Sequence, residues 1–257
     1  MSAPFPLFLF GGGWKEAAYV RTYWEFLNAA CVDGRHCFTV VVAEEEGLDK
    51  EETESNYRGP FQQFGVPKAN VHLLYVSKAE PLTAARLAAV SPTGVFIAGG
   101  ATPAYHQALC ADTGWLTYLA EHKLPCAGFS AGAVVMPERA ILGGWKLDLP
   151  HCDVSVAHQN CGEGLEFVEV RAGLGLVPFA VEAHASQWGT LARLIHAVDQ
   201  GRVPSGWAID EDTMLKIDSG TLTVCGLGQA YRVRRVARGS LAIDVFRAGS
   251  ILACGDW

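Results

Sequence analysis

Three times in its first half this chain ends a short apolar run in glycine or serine and then turns into a helical pattern. Residues 5–10 run into Gly11, Gly12 and Gly13, residues 94–98 into Gly99 and Gly100, and residues 125–129 into Ser130. Short apolar runs without alternation read as strands buried on both faces. A helix after each one makes the connections crossovers, so the repeated unit builds an α/β fold around a doubly wound, mostly parallel sheet. Ligands bind such sheets at the carboxyl ends of the strands, which places Gly99, Gly100 and Ser130 on one edge. Runs 37–43 and 71–76 add two strands. Helical patterns cover 14–30, 82–90 and 115–121, with another starting at Thr102 and Pro103. An acidic stretch after Glu44, broken by Pro60, is expected to be a solvated face.

A chain of 257 residues, half of them hydrophobic and 18% charged, suits a single domain over 1–257 with a large core. The net charge of −7 argues against nucleic acid or an anionic membrane as partner and for a small substrate. The start has no basic n-region and too short an apolar run for a signal segment or a span, so a cytoplasmic protein is expected. Eight cysteines without a C-x-x-C pair are expected as buried thiols. No cofactor is expected, because Glu16 stands where a dinucleotide fingerprint needs its third glycine. Residues 137–173 have the weakest periodicity and read as an irregular excursion at the mouth of the site. His151, Cys152, Asp153, His158 and Cys161 within it lack the strong zinc spacings, so no metal is expected. The oligomeric state is not legible, and a homo-oligomer stays open.

Gly128-Phe-Ser130-Ala-Gly132 has the G-x-S-x-G pattern of a nucleophile elbow. A serine hydroxyl is a weak nucleophile and must stand clear of its backbone, beside a base and beside amide donors. Small residues on both sides allow strand and helix to approach, and the amide of Ala131 then faces the developing oxyanion. On spacing alone, the Gly99–Gly100 pair reads as an ordinary tight turn. In the second half, the apolar run 174–182 ends at His184, and 188–197 reads as a helix. The strand 206–209 leads into Asp210, Glu211 and Asp212. A hairpin joins 214–217 to 222–225 through Asp218, Ser219 and Gly220. Further antiparallel strands in 231–246 are expected to complete the sheet. The order serine, histidine, acid is not that of an α/β-hydrolase. Strand alternation alone lets Asp210, Glu211 or Asp212 face the histidine.

These residues resemble a known family. IAGGATPAYHQAL, GFSAGAVVM, LGLVP followed by EAH, and GWAIDEDTMLKI, in that order, are similar to the serine peptidases of the peptidase E and cyanophycinase family. The resemblance implies a class I glutamine amidotransferase-like, flavodoxin-like fold in which serine replaces the usual cysteine. It also implies Ser130 as nucleophile, His184 as base, Glu211 as third triad member, and Gly100 with Ala131 as the oxyanion hole. The expected function is hydrolysis of short peptides through an acyl-enzyme. Two departures leave the substrate open: Ala185-Ser186-Gln187-Trp188 replaces the aromatic and arginines that follow the histidine in cyanophycinases, and the peptidase E branch lacks the I-D-E-D segment. A cyanophycinase-like isopeptidase, a small-molecule esterase and a catalytically silent binding module are the alternatives.

Overall fold

In the computed structural model, which describes residues 4–149, 152–237, 239–253 and 255, the first apolar run becomes the strand Leu7–Phe10, buried at every residue. It lies inside an eight-stranded sheet with the order Ile251–Ala253, Thr221–Gly226, Thr213–Asp218, Leu7–Phe10, Cys126–Phe129, Gly94–Ile97, Phe38–Ala43, Val71–Val76. From Leu7–Phe10 outward to Val71–Val76 the strands are parallel. The remaining strands come from the C-terminal third and join antiparallel. This is the expected architecture, and the parallel strands deliver Gly11, Gly99 and Ser130 to one edge.

Aromatic side chains set one layer against the sheet. Tyr23 stacks on Phe96 at an interplanar angle of 13°, and Phe26 meets Phe8 edge to face at 5.5 Å. Rings of this size dominate the burial energy of a core and favour these offset geometries. The helix expected over 14–30 is two pieces, Glu16–Tyr19 and Tyr23–Ala29. Thr22 divides them: its hydroxyl donates to the carbonyl of Ala18, and its backbone leaves the helical region at φ −129°, ψ −77°. Pro60, in contrast, does not break its segment. The helix Lys50–Gln63 runs through it, capped by the Asp49 carboxylate, and the buried Pro60 and Phe61 compensate the single backbone bond the proline removes.

The tail does not complete the main sheet. Gln229–Ala237 and Ser240–Arg247 form a second sheet with Ala180–Glu182 and Ser205–Ile209, and the helix Thr190–Asp199 covers it. That helix buries Arg193, Leu194, Ala197 and Val198 along one stripe, against Ala208 and Val233 of the sheet. Residues 137–173, expected to be irregular, hold two short antiparallel pairs, Arg139–Gly143 with Glu169–Ala172 and Lys146–Leu149 with Cys152–Ser155. Arg139–Gly143 is buried at all but its first residue, whereas the other three strands are largely exposed or half-buried, and none shows the alternation of buried and wet positions that marks a strand in sequence. The thiols also differ from expectation. Cys126 and Cys161 are buried, but Cys31 and Cys152 are exposed and Cys37, Cys110 and Cys225 half-buried.

At the elbow, a Cβ on Gly128 would stand 2.5 Å from the backbone of Gly132, and one on Gly132 would stand 2.5 Å from the carbonyl oxygen of Ile97. Neither backbone can yield without moving a buried strand. Gly128→Ala and Gly132→Ala are each expected to destabilise the fold by about 1–3 kcal/mol, the usual cost of overpacking. Urea unfolding measures this, and a wild-type midpoint in either variant would show slack that the contacts exclude.

Candidate active site

Ser130 sits on the turn between the strand Cys126–Phe129 and the four-residue helix Ala131–Val134, with φ +51° and ψ −114°. A side chain tolerates that backbone only when its surroundings fix it. They do: its amide donates to the carbonyl of Phe10 at 3.0 Å, and its carbonyl accepts from Ala133 and Val134. The strained turn lifts the hydroxyl to the sheet edge.

His184 arrives from the second sheet, two residues past Ala180–Glu182, also with positive φ (+55°). Its amide donates to the carbonyl of Gly11 at 2.9 Å, and the amide of Asp212 donates to that of Gly12 at 2.7 Å. The imidazole lies so close to the chain that a Cβ on Gly12 would be 2.2 Å from its Cε1. The three glycines after the first strand therefore seat the histidine and the acidic turn. Their signal in the sequence is the unbroken run behind a buried strand.

The hydroxyl of Ser130 is 2.8 Å from Nε2 of His184, and Nδ1 of His184 is 2.8 Å from Oε1 of Glu211. A carboxylate can only accept, so Nδ1 carries the proton, and Nε2 is left to accept from the serine. Asp210 and Asp212 are committed elsewhere. Asp210 accepts from the amides of Ser186 and Gln229, and Asp212 from the amide of Lys15. The amide of Glu211 is held by the Gln187 side chain at 3.0 Å. Trp188, which lies just outside the helix Thr190–Asp199, stacks on the imidazole at 4.0 Å and 9°.

Gly100 lies in a loop pinned on both sides. The amide of Gly99 donates to Tyr57 Oη at 2.6 Å, the Tyr105 hydroxyl donates to the Gly99 carbonyl, and the amide of Ala101 donates to the Glu45 carboxylate at 2.8 Å. Among the described residues neither Gly100 N–H nor Ala131 N–H has a hydrogen-bond partner. A cavity of about 570 Å³ opens at Ser130 and Gly100, and its charged lining is Glu45 and Glu163. Glu163 comes from the 137–173 excursion, which therefore does border the site, and its carboxylate accepts from the amide of Thr102. Beneath His184, the buried Arg193 grips Glu182 with two nitrogens and also donates to the carbonyls of Gly144 and Cys161. It is occupied within the fold and does not reach out as an anchor for an acidic substrate. His151 lies outside the described residues, and among those described no three His, Cys, Asp or Glu side chains are grouped to hold a metal ion.

Burial lowers the pKa of His184 from its ordinary 6.5, and Glu211 opposes this by hydrogen bond and charge. Followed by proton NMR at Cε1, the imidazole is expected to titrate below 6.5, and Glu211→Gln should lower the midpoint further. A midpoint that rises in this variant would mean that the carboxylate does not face the ring.

No family model matches the chain. It is 32% identical over 179 residues to the cyanophycinase of Synechococcus elongatus, an alignment covering 67% of this chain and 51% of that protein. It is 30% identical over 179 residues to the cyanophycinase of Trichormus variabilis, covering 65% and 54%. The chain thus spans about half the length of the curated relatives it matches. Among solved structures, a peptidase from an acI-B1 Actinobacterium superposes with a TM-score of 0.70 at 15% identity, over 97% of this chain and 96% of that one. A Listeria monocytogenes EGD-e protein assigned to peptidase E superposes with a TM-score of 0.55 at 16% identity, over 87% and 99%.

Proposed function

From a chain that is a distant homologue of the cyanophycinases and has the fold of peptidase E, we propose a serine peptidase that hydrolyses short peptides through a Ser130, His184, Glu211 triad. The observation that carries the reading is the unbroken pair of 2.8 Å contacts from serine to histidine to glutamate. As the Ser130 oxygen attacks the scissile carbonyl, its proton passes to Nε2 of His184. Glu211 holds the tautomer and stabilises the imidazolium. The amides of Gly100 and Ala131 receive the oxyanion. Collapse expels the amine, which takes its proton from His184, and leaves an acyl-enzyme. Water then attacks by the same route in reverse, with His184 again the base.

A cavity bordered by the 137–173 excursion, through Gln159, Asn160 and Glu163, and by Trp188 suits short peptides better than a long extended chain. Its two carboxylates oppose an acidic group beside the scissile bond. On a panel running from dipeptides through a β-linked isopeptide and a chromogenic ester to a denatured protein, the short peptides are expected to be cleaved best, and those with an acidic residue at that position least well. Internal cleavage of the denatured protein with the short peptides intact would reverse the assignment.

On the best substrate, Ser130→Ala and His184→Ala should each reduce kcat by about four to six orders of magnitude, since triad members act as a unit. Glu211→Gln should cost roughly a few hundred- to ten-thousand-fold, because it orients the base without joining the covalent step. A serine-directed fluorophosphonate should label the wild type and spare Ser130→Ala. Labelling of both proteins would place the nucleophile elsewhere.

A further inference from the structure

The turn His184-Ala-Ser-Gln-Trp188 closes on itself over the site. The amide of Trp188 donates to the carbonyl of His184 at 2.9 Å, completing one turn. The Cys161 thiol donates to the carbonyl of Trp188 at 3.3 Å, so the tryptophan backbone is held from both sides. Its indole then lies flat on the imidazole, with ring centroids 4.0 Å apart and planes within 9°. On its Cε1 edge the imidazole meets the backbone of Gly12. Yet Trp188 is 45% exposed, and it lines three cavities: one at Ser130, one of about 600 Å³ beside Asn160 and Gln187, and a small one beneath His184. Core packing does not require so large a ring at so wet a position.

We infer that Trp188 is a positioning residue for the base: its indole clamps the His184 ring in the one plane that reaches Ser130 and Glu211 together. This rests on the triad proposed above. An unclamped imidazole can turn about its Cβ–Cγ bond and lose both contacts at once, because Nε2 and Nδ1 point at different partners. The indole removes that freedom and shields one face from water. Its electron-rich face also favours the imidazolium that forms as the serine loses its proton. Gln187 works from the same turn by holding the amide of Glu211, so one short segment sets both base and orienter. Around the ring the charged groups are Glu211 on Nδ1 and, across the small cavity beneath, Glu163, Glu182 and Arg193.

Two measurements test the clamp, and the first needs no substrate. A protonated imidazole quenches an indole in contact with it more strongly than a neutral one. Tryptophan emission should therefore rise with pH as His184 deprotonates, and this step should vanish in His184→Ala and in Trp188→Phe, whereas a step caused by titration of Glu163 beside the same indole would survive in His184→Ala. Persistence of the step in His184→Ala, or its absence from the wild type, overturns the contact. In the second, Trp188→Ala should lower kcat about ten- to a hundredfold with KM changed much less, and Trp188→Phe, which keeps a flat ring, should recover most of the loss. Wild-type kcat in Trp188→Ala overturns the positioning role. A fluorescence step that behaves as expected in a wild type without hydrolase activity would uphold the contact and remove the peptidase reading.

Discussion

Three successive carbonyls at the end of one buried strand bring together Ser130, His184 and the acidic turn. Phe10 accepts the amide of Ser130, Gly11 that of His184, and Gly12 that of Asp212. Each bond is an ordinary backbone hydrogen bond, worth about 1 kcal/mol net, but an unmade one leaves a buried polar group that costs more. Serine, histidine and acidic turn come from different parts of the chain and from two sheets. They meet because the segment Phe10-Gly11-Gly12 offers acceptors in order and carries no side chain at Gly12 to push the imidazole away.

What the sequence made legible follows from burial. Strands buried on both faces, such as Leu7–Phe10 and Phe38–Ala43, appear as unbroken apolar runs, and the elbow appears as enforced smallness around Ser130. The positions of His184 and the 210–212 turn at strand ends were also readable, but the choice among three acids was not. It depends on which carboxylates the backbone already occupies, as Ser186 and Gln229 occupy Asp210 and Lys15 occupies Asp212. The second sheet escaped for a similar reason. Strand patterns show which residues are buried and not which neighbour they pair with, so the tail was assigned to the wrong sheet. The short strands Lys146–Leu149, Cys152–Ser155 and Glu169–Ala172, and the stacking of Trp188 on His184, leave no periodic mark because their residues are largely exposed or half-buried.

Charge ties the excursion to His184. Glu182, two residues before His184, is buried with Arg193, and the same guanidinium holds the carbonyls of Gly144 and Cys161 in the excursion. Cys161 in turn holds Trp188. A buried ion pair of this kind contributes little net stability, because desolvation offsets its attraction, and its planar fork instead fixes how the pieces meet. The border of the cavity and the seat of the histidine thus share one anchor.

The three-carbonyl splice also bears on how the molecule comes into being. It pairs residue 10 with 130, 11 with 184 and 12 with 212, contacts of high contact order whose loop-closure cost must be met before they reward the chain. A ribosome-bound chain carries Ser130 long before His184 and the 210–212 turn have emerged. The contacts among Ser130, His184 and Glu211 therefore form only when the last of these segments docks.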